Sequence, residues 1–255
     1  MCFSLSPLSK FSVLLSSLLV LAPGAPLYTQ NLLVAAASDL APLQEPLRQQ
    51  NVRFTFGASG MLAKQIENGA PFDIFMSASE EYVTNLAAKG KIDPATVVVY
   101  ARGRLGLWSK SGRVQALPQL ADPSVLRISI ANPAHAPYGA AAKELLERKG
   151  LWETLQPKIV YAENVRQALQ YAESGNVDAT LTAWSLLYDK GAVRLPEDHK
   201  PIQQAAGVVK DSPRAAQARA FLKYLRSAEG RKILEAHGLI PNSDIPPESM
   251  EAKRP

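Results

Sequence analysis

Short apolar segments alternate with amphipathic segments along most of this chain. Buried strands are predicted at residues 32–37, 73–76 and 126–130, where apolar side chains follow one another or alternate with polar ones. Helices are predicted at residues 80–89 and 138–149, because apolar side chains there recur every three or four positions and a glycine follows each segment. Strands that alternate with short helices are typical of an α/β protein with mostly parallel sheets.

Prolines and aspartates interrupt this pattern at a few positions. A helix is predicted at residues 40–50, and Pro42 and Pro46 are expected to shorten or bend it because proline has no N–H group. Asp73 and Asp178 stand at strand edges, where aspartate commonly caps a helix or closes a turn. We therefore expect structural roles for these two carboxyl groups.

The first residues have the pattern of a secretory signal peptide. Lys10 is followed by an apolar run at residues 11–22 and by the small-residue stretch at residues 22–25. The run is shorter than the roughly 20 residues that a membrane-spanning helix needs. We expect cleavage between Ala22 and Gln30, which would leave a soluble, exported protein.

The order of elements predicts two doubly wound α/β domains joined by a two-strand hinge. The chain is expected to enter the second domain at residues 102–104 and to return to the first at residues 205–209. Short connections favour right-handed crossovers, with helices on both faces of each sheet. The predicted segments are residues 1–29 for the signal peptide, 30–103 plus 207–245 for domain I, 104–206 for domain II and 246–255 for a polar tail.

Composition excludes several kinds of site. The only cysteine is Cys2, which signal cleavage would remove, so a disulfide framework and a cysteine-based zinc cluster are excluded. The three histidines stand too far apart for a His-rich metal site. The formal net charge is +5, but no block of lysine and arginine accompanies it, so no nucleic-acid partner is predicted.

Four predicted strand-to-helix junctions contain small or polar residues, at residues 37–40, 57–60, 136–139 and 163–166. The start of a helix leaves N–H groups unpaired and carries a partial positive charge, so it can bind an anion. In open α/β sheets, ligands lie beyond the carboxyl ends of the strands, where these junctions fall. Any one junction could be only a capped helix start, with Ser38, Ser59 or Asn164 as the cap. Together they predict an anion site.

With these segments the chain resembles the periplasmic molybdate-binding proteins of ABC importers. The similarity runs in order from about residue 31 to about residue 241, with matching segments at 34–40, 56–66, 69–78, 132–139 and 162–169. The resemblance implies a type II-like periplasmic-binding-protein fold that closes around a tetrahedral oxyanion. It also implies molybdate or tungstate as ligand, no cofactor, no bare metal cation, a monomer in the periplasm, and the permease and ATPase subunits of an importer as partners.

The resemblance also implies a set of ligand-binding residues. Ser38 and Ser59 would donate hydroxyl and backbone N–H hydrogen bonds, and Tyr138 and Val165 would donate backbone N–H groups. Since only the backbone of Val165 takes part, its apolar side chain is compatible with an anion site.

Two positions depart from the family pattern. Ala183 stands where some members have a tyrosine hydroxyl, so one donor is missing or comes from elsewhere. Asp39 follows Ser38, and a carboxylate that faces a dianion at about 4 Å would cost kilocalories. We expect its side chain to turn away while its backbone N–H serves. A carboxylate facing inward would instead accept a hydrogen bond from a protonated anion such as hydrogen phosphate.

Two alternatives remain open at the level of sequence. The same fold could bind another tetrahedral oxyanion, sulfate or phosphate. A serine hydrolase could be assembled on paper from Ser38 or Ser59 with His135 and Asp39. However, the chain contains no Gly-x-Ser-x-Gly elbow, so no enzymatic activity is predicted.

Overall fold

A computed structural model of the protein describes Met1 and residues 31–242. Apart from Met1, the predicted signal peptide lies outside the described residues, and so does the predicted polar tail. Within the described part of the chain, no helix is both long enough and apolar enough to cross a membrane.

The strands form two separate sheets. In chain order they are β1 Leu32–Ala37, β2 Val52–Gly57, β3 Ile74–Ser77, β4 Val98–Gly103, β5 Leu105–Trp108, β6 Ile128–Ala131, β7 Ile159–Ala162, β8 Ala179–Ala183, β9 Val193–Arg194, β10 Ile202–Val208 and β11 Ile240–Pro241. The first sheet has six strands in the order β11-β4-β10-β3-β1-β2, and the second has five in the order β7-β6-β8-β5-β9. We call the parts of the chain built on these sheets the first lobe and the second lobe.

Helices follow the strands in both lobes. They are α1 Ser59–Glu67, α2 Glu80–Ala88, α3 Pro137–Arg148, α4 Trp152–Leu155, α5 Val165–Glu173, α6 Ala215–Leu225 and α7 Ala228–Ala236. The helix predicted at residues 40–50 is wrong: the structure has two short 3-10 helices there, Ser38–Leu43 and Arg48–Gln50. Pro42 lies inside the first of them, and Pro46 follows it. Because proline lacks an N–H and crowds the preceding turn, a regular α-helix does not form.

Both sheets combine parallel and antiparallel pairs, so the prediction of mostly parallel sheets is wrong. β1 is parallel to β2 and β3, and β6 is parallel to β7 and β8. β10 runs antiparallel to β3 and β4, and β5 runs antiparallel to β8 and β9. β3 and β6 are buried along their whole length, as expected for strands covered by helices on both faces. The predicted fold class, two α/β units joined by two strands, is confirmed.

The two lobes are connected at β4 and β10, which lie side by side. The chain leaves the first sheet after Gly103 and enters β5 at Leu105. It returns at Ile202, whose Cα pairs with that of Gly103. The predicted limit between residues 206 and 207 falls inside β10, so the exact bounds of the two domains stay a prediction.

Asp73 connects three parts of the first lobe. Its Oδ2 accepts hydrogen bonds from the backbone N–H of Leu33 at 2.7 Å and from Nε of Arg214 at 2.8 Å, and its Oδ1 accepts one from Ser212 Oγ at 2.6 Å. Burial raises the pKa of this carboxyl group, but the hydrogen bonds from Arg214 and Ser212 outweigh that effect and hold it below its ordinary value. Asp178 accepts from the backbone N–H groups of Leu126 and Arg127. Both carboxylates therefore have structural roles.

We predict that Asp73→Ala lowers the free energy of unfolding by about 3 kcal/mol, because it breaks an ion pair with a buried carboxylate and a partly buried guanidinium and removes two further hydrogen bonds. The measurement is urea unfolding followed by circular dichroism. Asp198→Ala is the control, since its ion pair with Lys149 is solvent-exposed and contributes about 1 kcal/mol or less. Equal losses in the two variants would contradict the structural role of Asp73.

Candidate functional site

Four helix starts meet at one cavity between the two lobes. Its lining comes from the first lobe at the ends of β1, β2 and β3 and from the second lobe at the starts of α3 and α5. The lining residues are Ala37, Ser38, Asp39, Gly57, Ala58, Ser59, Ala78, Ala136, Pro137, Tyr138, Asn164 and Val165. The structure thus brings together all four junctions that the sequence pattern singled out.

The two serines of the first lobe do not cap their helices. Ser38 and Ser59 are the first residues of their helices, and neither helix start has a side-chain capping hydrogen bond, so the prediction of serine caps is wrong. Ser59 Oγ instead accepts a hydrogen bond from the backbone N–H of Ala78 at 3.0 Å. This bond uses a lone pair and leaves the hydroxyl proton of Ser59 available for a ligand.

The second lobe contributes backbone N–H groups. α3 begins with Pro137, which has no N–H, so the first donor of this helix belongs to Tyr138. α5 is capped by Asn164 as predicted, because Asn164 Oδ1 accepts from the N–H groups of Arg166 at 3.0 Å and Gln167 at 3.1 Å. The cap leaves the N–H of Val165 without a partner inside its helix. Both helix starts therefore present free donors and partial positive charge.

Direct contacts between the lobes surround the cavity. The backbone N–H of Gly60 in the first lobe donates to the carbonyl of His135 in the second lobe at 2.9 Å. A Cβ at position 60 would come within 3.0 Å of that carbonyl oxygen, so glycine permits this approach. The guanidinium of Arg166 lies 5.8 Å from the ring centre of Phe56, also across the two lobes. These contacts hold the lobes closed over the site.

Asp39 is the most unusual residue of the site. Its side chain is buried, and its Oδ2 accepts hydrogen bonds from Tyr138 Oη at 3.0 Å and from Gln204 Nε2 at 2.6 Å. Its Oδ1 is buried without a hydrogen-bond partner. Burial raises the pKa of Asp39 to about 7, although the hydrogen bonds from Tyr138 and Gln204 oppose the shift. The carboxyl group therefore changes its charge close to neutral pH.

Comparison with known proteins shows the family to which this two-lobed chain belongs. The family described as bacterial extracellular solute-binding protein matches residues 27–240. The chain belongs to this family. The molybdate-binding protein ModA of Rhodobacter capsulatus is 33% identical over 209 residues, which cover 80% of this chain and 83% of that protein. ModA of Azotobacter vinelandii is 34% identical over 216 residues, with coverages of 80% and 84%.

Solved structures agree with this assignment. The periplasmic molybdate-binding protein of Azotobacter vinelandii matches with a TM-score of 0.78 at 32% identity, over 82% of this chain and 99% of that chain. The sulfate-binding protein SubI of Mycobacterium tuberculosis matches with a TM-score of 0.68 at 13% identity, over 84% and 88% of the two chains. The second likeness shows a shared fold only. The predicted family resemblance is confirmed.

Two candidate residues from the sequence, Ala183 and His135, are not among the residues that line the cavity. Ala183 is buried at the end of β8, opposite Leu105, and is not among the residues that line the cavity. The ring of His135 lies 3.1 Å from the carbonyl of Glu163. A hydrogen-bonded triad of His135 with Asp39 and Ser38 or Ser59 is not formed among the described residues, and no cluster of His, Cys, Asp and Glu there could hold a metal ion.

The sequence pattern missed two side chains that shape the site. The sequence predicts only a backbone role for Tyr138, yet its hydroxyl reaches Asp39 of the opposite lobe. Gln204 lies outside the predicted site, although it is a fully buried glutamine in a strand otherwise rich in apolar residues. A buried amide needs hydrogen-bond partners, so its position in an apolar strand was a signal that could have been followed.

We predict that Asp39→Asn changes how the stability of the ligand-free protein depends on pH. The ordinary pKa of this carboxyl group is 3.8 and its pKa in the folded protein is about 7. Between these values the folded state binds a proton that the unfolded state has released, so the free energy of unfolding of the wild type falls as pH rises. The asparagine variant has no such proton to lose, so its stability relative to the wild type increases as pH rises through this range.

Urea unfolding at pH 4.5, 6.0 and 7.5 measures this difference, and other titrating groups cancel in the comparison. Asp198→Asn is the control: Lys149 lowers the pKa of Asp198 below its ordinary value of 3.8, so the difference in stability between this variant and the wild type is expected to stay nearly constant from pH 4.5 to 7.5. A difference between the Asp39 variant and the wild type that does not change with pH would contradict the raised pKa.

Proposed function

We propose that this protein is a periplasmic solute-binding protein that captures molybdate, and tungstate as well, between its two lobes. It acts as a monomer and delivers the anion to the permease and ATPase subunits of an ABC importer. The observation that carries the proposal is the meeting of four helix starts at one cavity whose lining contains no cationic side chain. The family and the molybdate-binding relatives of Rhodobacter capsulatus and Azotobacter vinelandii support it.

The donors of the cavity suit a fully deprotonated oxyanion. Such a dianion needs hydrogen-bond donors and no acceptor. Ser38 and Ser59 would supply hydroxyl and backbone N–H groups, and Asp39, Tyr138 and Val165 would supply backbone N–H groups. Hydrogen bonds to charged groups contribute roughly 1.5–3 kcal/mol each, so several of them bind a dianion tightly without a cation. The partial positive charges of the helix starts add to this attraction.

Asp39 does not by itself separate a fully deprotonated anion from a protonated one. A bound hydrogen phosphate would need an acceptor for its proton. Oδ2 of Asp39 already accepts from Tyr138 and Gln204, but Oδ1 has no hydrogen-bond partner and is available as an acceptor. Sulfate satisfies the same donors as molybdate, and only the size of the anion separates the two ligands.

The protein is proposed to bind without catalysis. No hydrogen bond among the described residues joins His135 to Ser38, Ser59 or Asp39. The ring of His135 lies against the carbonyl of Glu163, and Asp39 accepts from Tyr138 and Gln204. Export through removal of residues 1–29 agrees with an extracellular family. To bind the anion, the protein would need neither a cofactor nor a bare metal cation.

Isothermal titration calorimetry with molybdate, tungstate, sulfate and phosphate tests the proposal. We expect tight binding of molybdate and tungstate, one anion per chain, and much weaker binding of sulfate and phosphate. Thermal unfolding gives an independent reading, since a ligand that binds only the folded state raises the melting temperature. If the folded protein shows neither heat nor a melting shift with molybdate, the proposal is wrong.

We predict that Ser59→Ala weakens molybdate binding by about tenfold to a hundredfold, since one hydrogen bond to a charged group is lost. Calorimetry on the purified variant measures the change. Ser77→Ala is the matched control: Ser77 is a buried serine of the same lobe whose hydroxyl donates to the carbonyl of Ser79 at 2.8 Å, and it does not line the cavity. An equal effect of the two substitutions would argue against a ligand role for Ser59.

A further inference from the structure

A hydrogen bond between side chains connects the helix starts of the two lobes. Tyr138 Oη, from the second lobe, donates to Oδ2 of Asp39 in the first lobe at 3.0 Å. Gln204 of strand β10 donates from Nε2 to the same oxygen at 2.6 Å and lies 3.2 Å from Tyr138 Oη. All three residues are buried. We call this set the Asp39–Tyr138–Gln204 network.

The network joins residues whose backbones form opposite walls of the cavity. Asp39 and its neighbour Ser38 belong to one wall, and Tyr138 belongs to the other. The distance between their backbone donors therefore depends on a bond between their own side chains. A longer or shorter link would change the width of the cavity directly.

Further contacts keep this link from shifting. Ser185 Oγ of the second lobe donates to the carbonyl of Asp39 at 2.8 Å, so a second bond crosses between the lobes at the same residue. Gly103 of β4 lies against the hydroxyl of Tyr138, and a Cβ at this position would overlap that oxygen. The hydroxyl is thus enclosed between β4, β10 and Asp39, with little freedom to move.

We propose that the Asp39–Tyr138–Gln204 network sets the width of the cavity and thereby selects oxyanions by size. Molybdate and sulfate have the same charge and the same tetrahedral shape but differ in size. Uncharged donors cannot separate them by charge, so discrimination requires donors held at a fixed spacing, since hydrogen bonds weaken quickly outside their preferred length. Asp39, Tyr138 and Gln204 act here as positioning residues. This inference rests on the proposed function.

Tyr138→Phe tests the proposal because it removes the hydroxyl and keeps the ring and the backbone N–H. We expect the ratio of molybdate affinity to sulfate affinity to fall by about tenfold or more, which corresponds to the loss of about one hydrogen bond. Calorimetry gives the molybdate affinity. Competition against bound molybdate gives the sulfate affinity, so that weak binding is quantified as well.

Tyr100→Phe is the matched control. Tyr100 is a buried tyrosine of β4 whose hydroxyl donates one long hydrogen bond, at 3.5 Å, to Gln204 Oε1 and makes none to Asp39 or Tyr138. Tyr100→Phe also removes a tyrosine hydroxyl next to Gln204, but it leaves the bond between Tyr138 and Asp39 in place. The ratio of molybdate affinity to sulfate affinity is therefore expected to stay at the wild-type value. Thermal unfolding of both variants without ligand separates a change in stability from a change in selectivity.

A second pair of variants at Asp39 keeps the test decisive if Tyr138→Phe folds poorly. Asp39→Asn keeps an oxygen that accepts from Tyr138 and is expected to retain the affinity ratio, whereas Asp39→Ala loses the link and lowers the ratio. Removal of the negative charge changes both affinities alike, because the two anions have equal charge, and so cancels in the ratio.

The outcomes separate this inference from the proposed function. A wild-type protein that binds no molybdate overturns the proposed function. Wild-type binding with an unchanged ratio in Tyr138→Phe and Asp39→Ala overturns the inference alone. The same fall in Tyr100→Phe as in Tyr138→Phe would also overturn it, since the effect would then not depend on the link between the lobes.

Discussion

Unpaired N–H groups at four helix starts are the constraint around which the two lobes are arranged. A helix start leaves its first N–H groups without partners in the helix, and burial without a partner costs free energy. Here four helices begin at one cavity, so their first N–H groups lie around it. These helices start at Ser38, Ser59, Pro137 and Val165. Gly60 lets the lobes approach closely there. An anion offsets the cost because it accepts these donors together.

The side chain of Asp39 is a buried carboxyl group among these uncharged hydrogen-bond donors. It has no cationic partner, so burial raises its pKa, and hydrogen bonds from Tyr138 and Gln204 satisfy only one of its two oxygens. Its position makes the same residue part of the anion wall and part of the link between the lobes. Selectivity for the anion and closure of the lobes are therefore coupled through one side chain.

Much of this arrangement could be predicted from residue patterns. The strand-to-helix junctions, the Asn164 cap and the proline at the start of α3 follow from local preferences, and the structure has all of them. Local preference failed at residues 40–50, where two prolines outweigh helical spacing. It also failed for Ser38 and Ser59, because a serine near a helix start can cap the helix or bind elsewhere. The choice depends on neighbours such as Ala78, which is distant along the chain.

The α/β class, the order of the elements and the positions of the strand-to-helix junctions can be predicted without a structure, because they depend on hydrophobic periodicity and on backbone chemistry near each residue. Which side chains cross between the lobes depends instead on packing between distant parts of the chain. Asp39, Tyr138 and Gln204 lie far apart in the chain, and no local pattern encodes their contact. They meet because the chain crosses between the lobes at the ends of β4 and β10, which pair side by side in the first sheet, so that the helix start of each lobe lies against the other.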